Sequence, residues 1–117
     1  MTGKPAMGPE DLVRTVFARV RASDPTVSEL YAVDATLRSS DGFYEGRAAI
    51  AGFYEERFRT ARIQPDIEDL FVNLPLVVAL LRVSTSDGAV LRVADVFEVG
   101  DDAIRSLQIC MQATASR

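Results

Sequence analysis

Apolar positions recur at helical spacing in the first half of the chain and gather into long, closely spaced runs in the second. Leu12, Val13, Val16, Phe17 and Val20 share one helical face, Pro9 suits a first helical turn, and Glu10 and Asp11 favour the positive end of the helix dipole. Asp24-Pro25 is an N-cap followed by proline at the first helical position, and it predicts a short second helix through Leu30 and Tyr31. Asp34 to Ser39 and Phe43 to Glu45 read as two short strands around an Asp41-Gly42 turn. Gly46 opens a third predicted helix whose apolar stripe is Ile50, Phe53, Tyr54 and Phe58. Residues 1–8, with two glycines and a proline, read as a loose tail, and 9–117 as a single domain.

After Pro65 the pattern becomes β. Asp66 to Asn73, Leu76 to Thr85, Ala89 to Glu98 and Ala103 to Gln112 are four strand-like runs. Asp87-Gly88 has the composition of a two-residue hairpin turn and Gly100-Asp101-Asp102 that of a three-residue loop. Helices first and a meander of strands afterwards predict an α+β architecture. A two-residue turn at Asp87-Gly88 pairs Ser84 with Leu91, Arg82 with Val93 and Leu80 with Asp95. A three-residue second loop pairs Asp95 with Leu107, Val93 with Ile109 and Leu91 with Met111. One face then holds Val78, Leu80, Arg82, Leu91, Val93, Asp95, Phe97, Leu107, Ile109 and Met111, with Arg82 diagonal to Asp95. The other, with Ala79, Leu81, Val83, Ala94, Val96, Ile104, Ser106 and Cys110, is also mostly apolar. Antiparallel sheets usually leave one face to water, so two apolar faces predict helices on one and a second copy of the chain on the other. A slip of one residue in either loop undoes this assignment.

Asp95 is the position that asks for chemistry. It interrupts the apolar run Leu91-Arg92-Val93-Ala94-Asp95-Val96-Phe97, and a carboxylate buried there costs several kcal/mol unless paired, hydrogen-bonded or protonated. Composition narrows what that chemistry is. The 117 residues contain no histidine, which removes Ser-His-Asp and Cys-His catalysis, histidine bases and histidine-ligated metals. A net charge of −4 argues against nucleic acid. No apolar run has the roughly 18–20 residues needed to cross a bilayer, and the polar start lacks a signal-peptide core. The one cysteine, Cys110, suits a reducing, cytoplasmic setting and reads as a core or interface side chain.

Two stretches carry a resemblance. Leu30-Tyr31-Ala32-Val33-Asp34-Ala35-Thr36 followed by Tyr44-Glu45-Gly46-Arg47-Ala48-Ala49-Ile50-Ala51-Gly52-Phe53-Tyr54, with Ala94 to Val99 and Ile104 to Leu107 as a closing hairpin, resembles the nuclear transport factor 2-like superfamily. Within it the nearest likeness is to the SnoaL-like and ketosteroid isomerase-like branch. The resemblance spans about residues 9–112 and implies a cone-shaped α+β barrel, three N-terminal helices on a strongly curved, mainly antiparallel sheet, around an apolar pocket. Its members include isomerases, cyclases, dehydratases, epoxide hydrolases and non-catalytic binding domains. In ketosteroid isomerases the acid matching Asp95 is held neutral by apolar surroundings so that it donates a hydrogen bond. The general base of that mechanism matches Ser39, with Asp41 two residues on, and its first-helix tyrosine falls near Val16 or Phe17. The arginine of the limonene epoxide hydrolase pattern matches Arg82, but its partners fall at Ser84 and Ile109. Neither full catalytic set is present.

The expected function is binding of a hydrophobic small molecule, with acid–base isomerisation, cyclisation or hydrolysis of a carbonyl or epoxide compound through Asp95. The alternative is a non-catalytic ligand-binding or dimerisation module. Arg82, Ser39, Asp41, Tyr31, Tyr54, Val93, Phe97, Leu107, Ile109 and Met111 are the expected binding residues, with no metal and no cofactor. Each has a structural alternative: Arg82 as ion-pair partner, Ser39 and Asp41 as turn formers, the tyrosines and the remaining apolar residues as core. If Arg82 contacts Asp95, the carboxyl is ionised; if Arg82 points away, burial raises its pKa and makes it a neutral donor.

Overall fold

The structure, a computed structural model, describes residues 7–60 and 63–111. The chain runs through helix α1 (Pro9–Arg21), a 3-10 helix (Pro25–Leu30), strands β1 (Tyr31–Ser39) and β2 (Gly42–Glu45), helix α2 (Arg47–Thr60), and strands β3 (Gln64–Asn73), β4 (Leu76–Ser84), β5 (Val90–Val99) and β6 (Ile104–Met111). Most of the expected tail and the expected end of the last strand, Gln112, lie outside the described residues. The architecture is α+β, with two departures from the expectation. The second of the three helices is a single 3-10 segment. The six strands form an open sheet in the order β2-β1-β6-β5-β4-β3, so two edges remain where a barrel would have none. All neighbours pair antiparallel except β1 with β6.

Local chemistry explains the helix ends. Pro9 occupies the first turn of α1, and Leu12 N–H donates to Gly8 O at 2.9 Å. Asp24 caps the 3-10 helix by accepting from Thr26 N–H at 2.9 Å, as its sequence predicts. Beneath α1, Leu12, Val13, Val16, Phe17 and Val20 are buried on the sheet. Phe17 meets Phe97 of β5 edge to face, with ring centroids 5.7 Å apart, a favoured aromatic geometry. Gly46, at φ +96°, joins β2 to α2 in a conformation that favours glycine.

The β4–β5 hairpin has a different register from the one expected. Thr85 and Ala89 close it through Thr85 N–H to Ala89 O at 3.0 Å, and Gly88 N–H donates to Thr85 O at 3.0 Å. The loop is therefore Ser86-Asp87-Gly88, with Gly88 at φ +89°, the three-residue hairpin that ends in a left-handed glycine. Ser84 pairs with Val90, Arg82 with Arg92, Leu80 with Ala94 and Ala79 with Asp95. This one-residue difference turns every β4 side chain over. Val77, Ala79, Leu81 and Val83 face the helices and are buried, whereas Val78, Leu80 and Arg82 face outward. The β5–β6 pairing differs by two, not one: Val93 pairs with Met111, Asp95 with Ile109 and Phe97 with Leu107, with a bulge at Glu98/Val99. A shift of two leaves faces unchanged, so the expected inner residues of β5 and β6 stay together.

The outer face remains apolar toward its β3 edge. Phe71, Leu76 and Leu80 are exposed there beside half-buried Val78, Ala94 and Val96. Among the described residues no helix is long and apolar enough to cross a membrane.

Candidate functional site

Between the helices and the inner sheet face lies a cavity of about 130 Å³. Phe17 and Val20 of α1, Phe53, Tyr54 and Arg57 of α2, and Ile63 and Pro65 at the start of β3 form one side. Leu81 and Val83 of β4, Leu91, Val93 and Asp95 of β5, and Leu107, Ile109 and Met111 of β6 form the other. Alternation along each strand delivers these residues inward at every second position. Arg57, with its side chain 36% exposed, and Met111, 50% exposed, mark where the cavity meets solvent.

Asp95 is 5% exposed, and its Oδ1 is buried with no hydrogen-bond partner among the described residues. Arg82 lies on the opposite face and gives it no charge to pair with. Loss of water is the cause that raises the Asp95 pKa from 3.8 to about 8, so at neutral pH it is a carboxylic acid. Nearby, Tyr31 and Tyr54 join hydroxyl to hydroxyl at 2.7 Å. Burial pushes both hydroxyls up, with the Asp95 carboxyl contributing to each. Neutral Asp95, un-ionised Tyr54 and, at the mouth, Arg57 are the polar members of an otherwise apolar lining.

The expected site residues divide cleanly. Asp95, Tyr54, Val93, Leu107, Ile109 and Met111 line the cavity. Tyr31 stands behind Tyr54 and is fully buried. Phe97 is also fully buried, but packs on Phe17 outside the lining. Arg82 is removed by the hairpin register. Ser39 and Asp41 sit at the β1–β2 turn, where the Ser39 hydroxyl donates to Asp41 Oδ1 and Arg57 Nη2 lies 3.2 Å from Asp41 Oδ2. The Ser39 hydrogen bond, with help from Arg57, holds the Asp41 pKa below its ordinary value. Their connection to the cavity therefore runs through Arg57, which is not among the residues expected from the sequence. Its signal was present: Arg57 is four residues on from Phe53, on the same helical face, and only its charge set it outside the apolar stripe. Among the described residues no three His, Cys, Asp or Glu side chains come together as a metal set would need.

Residues 13–107 match the SnoaL-like domain family. No curated protein sequence matches the chain. Among solved structures, an NTF2-like protein of unknown function from Cytophaga hutchinsonii superposes with a TM-score of 0.81 at 14% identity, over 94% of this chain and 95% of its own. A protein from Sphaerobacter thermophilus does so with a TM-score of 0.82 at 28% identity, over 93% of this chain and 100% of its own. A candidate polyketide cyclase from Sinorhizobium meliloti gives 0.79 at 22% identity, over 85% and 93% respectively.

Proposed function

The chain belongs to the SnoaL-like family of the NTF2-like superfamily, and on that premise we propose that it binds an apolar small molecule bearing a carbonyl or epoxide oxygen and activates it through Asp95. The observation that carries this reading is the buried, unpartnered carboxyl oxygen of Asp95 beside an apolar cavity. A buried polar atom without a partner costs about 1–3 kcal/mol, and a ligand oxygen accepting the acid's proton would recover that cost. The same hydrogen bond stabilises negative charge developing on the oxygen during enolisation, ring closure or epoxide opening. An acid with a pKa near 8 can also exchange its proton at physiological pH. The likeness to a candidate polyketide cyclase is in keeping with carbonyl chemistry.

A second reading, a binding domain that holds its ligand unchanged, is favoured by one observation. Asp95 is the only carboxylate among the described lining residues, and no separate base stands across from it. Cyclohexanone and cyclohexane test both readings, because a cavity of about 150 Å³ accepts a benzene-sized body. In NMR titrations the ketone binds more tightly than the hydrocarbon, Asp95→Leu abolishes that preference, and Asp95→Asn, which keeps a donor, retains part of it. Equal affinities in the native chain sink the reading. Accelerated deuterium exchange beside the carbonyl, lost in Asp95→Asn, marks an enzyme; exchange at the background rate marks the holding domain.

The proposal extends to assembly: the outer sheet face, with Phe71, Leu76 and Leu80 exposed, receives a second copy of the chain. Sedimentation of the native chain and of Leu80→Lys tests this, with a monomer at all concentrations as the contrary result.

A further inference from the structure

Among the described lining residues Arg57 is the sole cation. Its Cζ lies 4.8 Å from the Phe53 ring centroid, which steadies the guanidinium at the cavity mouth. Nη2 is its one hydrogen-bonded atom among the described residues, and the acceptor is Asp41. That leaves most of a five-donor fork, shaped to grip a carboxylate with two parallel hydrogen bonds, without a partner among the described residues. Asp41 is 59% exposed, and an exposed ion pair of this kind holds its members weakly. The Asp41 contact therefore orients Arg57 without consuming it. The chain as a whole carries a net charge of −4 and offers anions little general attraction, so any anion held here is held by this residue. Across the chamber Asp95 is neutral and adds no repulsion.

Resting on the reading that the cavity admits an apolar carbonyl compound, we propose that Arg57 selects ligands that also carry a carboxylate at the end remote from the carbonyl. The ligand class is thus an apolar keto acid: carbonyl toward Asp95, hydrocarbon body against the strand side chains, and carboxylate at the mouth on Arg57. The cavity volume of about 130 Å³ suits a body on the order of six to eight heavy atoms.

The probes are the eight-carbon keto acid whose ketone adjoins its terminal methyl group, and the methyl ester of that acid, each titrated into the full chain by NMR. The acid binds about tenfold more tightly than the ester, as a charge-assisted contact predicts. Arg57→Met, which keeps the apolar stem, brings the acid-to-ester ratio to about one. Asp41→Asn lies outside the cavity, keeps an acceptor for Arg57 and removes a negative charge beside the ligand carboxylate, raising that ratio about two- to threefold. Equal affinities in the native chain, or a ratio that survives Arg57→Met, overturn the role of Arg57; an ester whose binding still depends on Asp95 then leaves the carbonyl-binding reading standing. If neither probe binds, both inferences fall. Circular dichroism of each variant confirms that the fold is retained.

Discussion

Asp95 and Asp41 are the same residue type in one small domain, and their surroundings drive them in opposite directions. Asp41 sits on a turn in water, accepts from Ser39, meets Arg57, and has its pKa lowered. Asp95 sits on a rigid strand among hydrocarbon, its Oδ1 without a partner among the described residues, and its pKa rises to about 8. The first is a carboxylate that organises a neighbour. The second is an acid whose protonation is set by what the fold withholds from it. The cavity lies beside the dissatisfied residue, and the satisfied one stands at its rim.

The widest gap between the two concerns stability against pH. A folded pKa near 8 against an ordinary value of 3.8 means that the native state binds more protons than the unfolded chain between those values. Stability therefore falls as pH rises from about 4 to about 8 and levels off above. Asp95→Asn should remove that slope and stabilise the domain at pH 7 by on the order of a few kcal/mol. Urea denaturation across this range checks it, and parallel curves for native and variant chains would rule out the buried acid. Next in size, Tyr31→Phe leaves the buried Tyr54 hydroxyl without its partner and should cost about 1–2 kcal/mol by the same assay; no loss would mean the pair is not formed. Asp41→Asn breaks only exposed contacts, and a change above about 0.5 kcal/mol would contradict its assignment to the rim. The smallest expected effect is the most diagnostic of register. Arg82→Ala should leave the Asp95 carboxyl titration, followed by carbon-detected NMR, where it was; a clear shift would return Arg82 to the inner face.

Much of this was legible in the amino-acid order because it depends on local periodicity. The stripe from Leu12 to Val20, the Asp24-Pro25 cap and the strand runs after Pro65 each need only neighbouring residues to explain them. Asp95 stood out for the same reason, as one acid within a greasy run. What the order hid was of three kinds. Asp87-Gly88 serves both two-residue and three-residue hairpins, and only backbone geometry separates them: Asp87 lacks the positive φ that a two-residue type I′ turn needs, and Thr85 N–H bonds to Ala89 O. Arg57 was hidden because a charge beside an apolar stripe reads as solvent-facing until the opposite wall is known. The 3-10 segment and the open sheet edges depend on packing across the domain, which periodicity does not report.

The Ser86-Asp87-Gly88 loop has a bearing on the chamber that its position in solvent conceals. Side chains on a strand obey odd and even, so the count of residues in that turn decides which row of β4 looks inward. With three, Ala79, Leu81 and Val83 do, and the acid faces hydrocarbon. With two, Arg82 would take an inward place and Asp95 would gain a cation, becoming an ordinary ion-paired carboxylate with no proton to give. Turn length thus acts as a remote setting for acidity: a one-residue deletion on the surface would rewrite the reactivity of a buried group by turning Leu81 and Val83 out of the chamber wall and Leu80 and Arg82 into it.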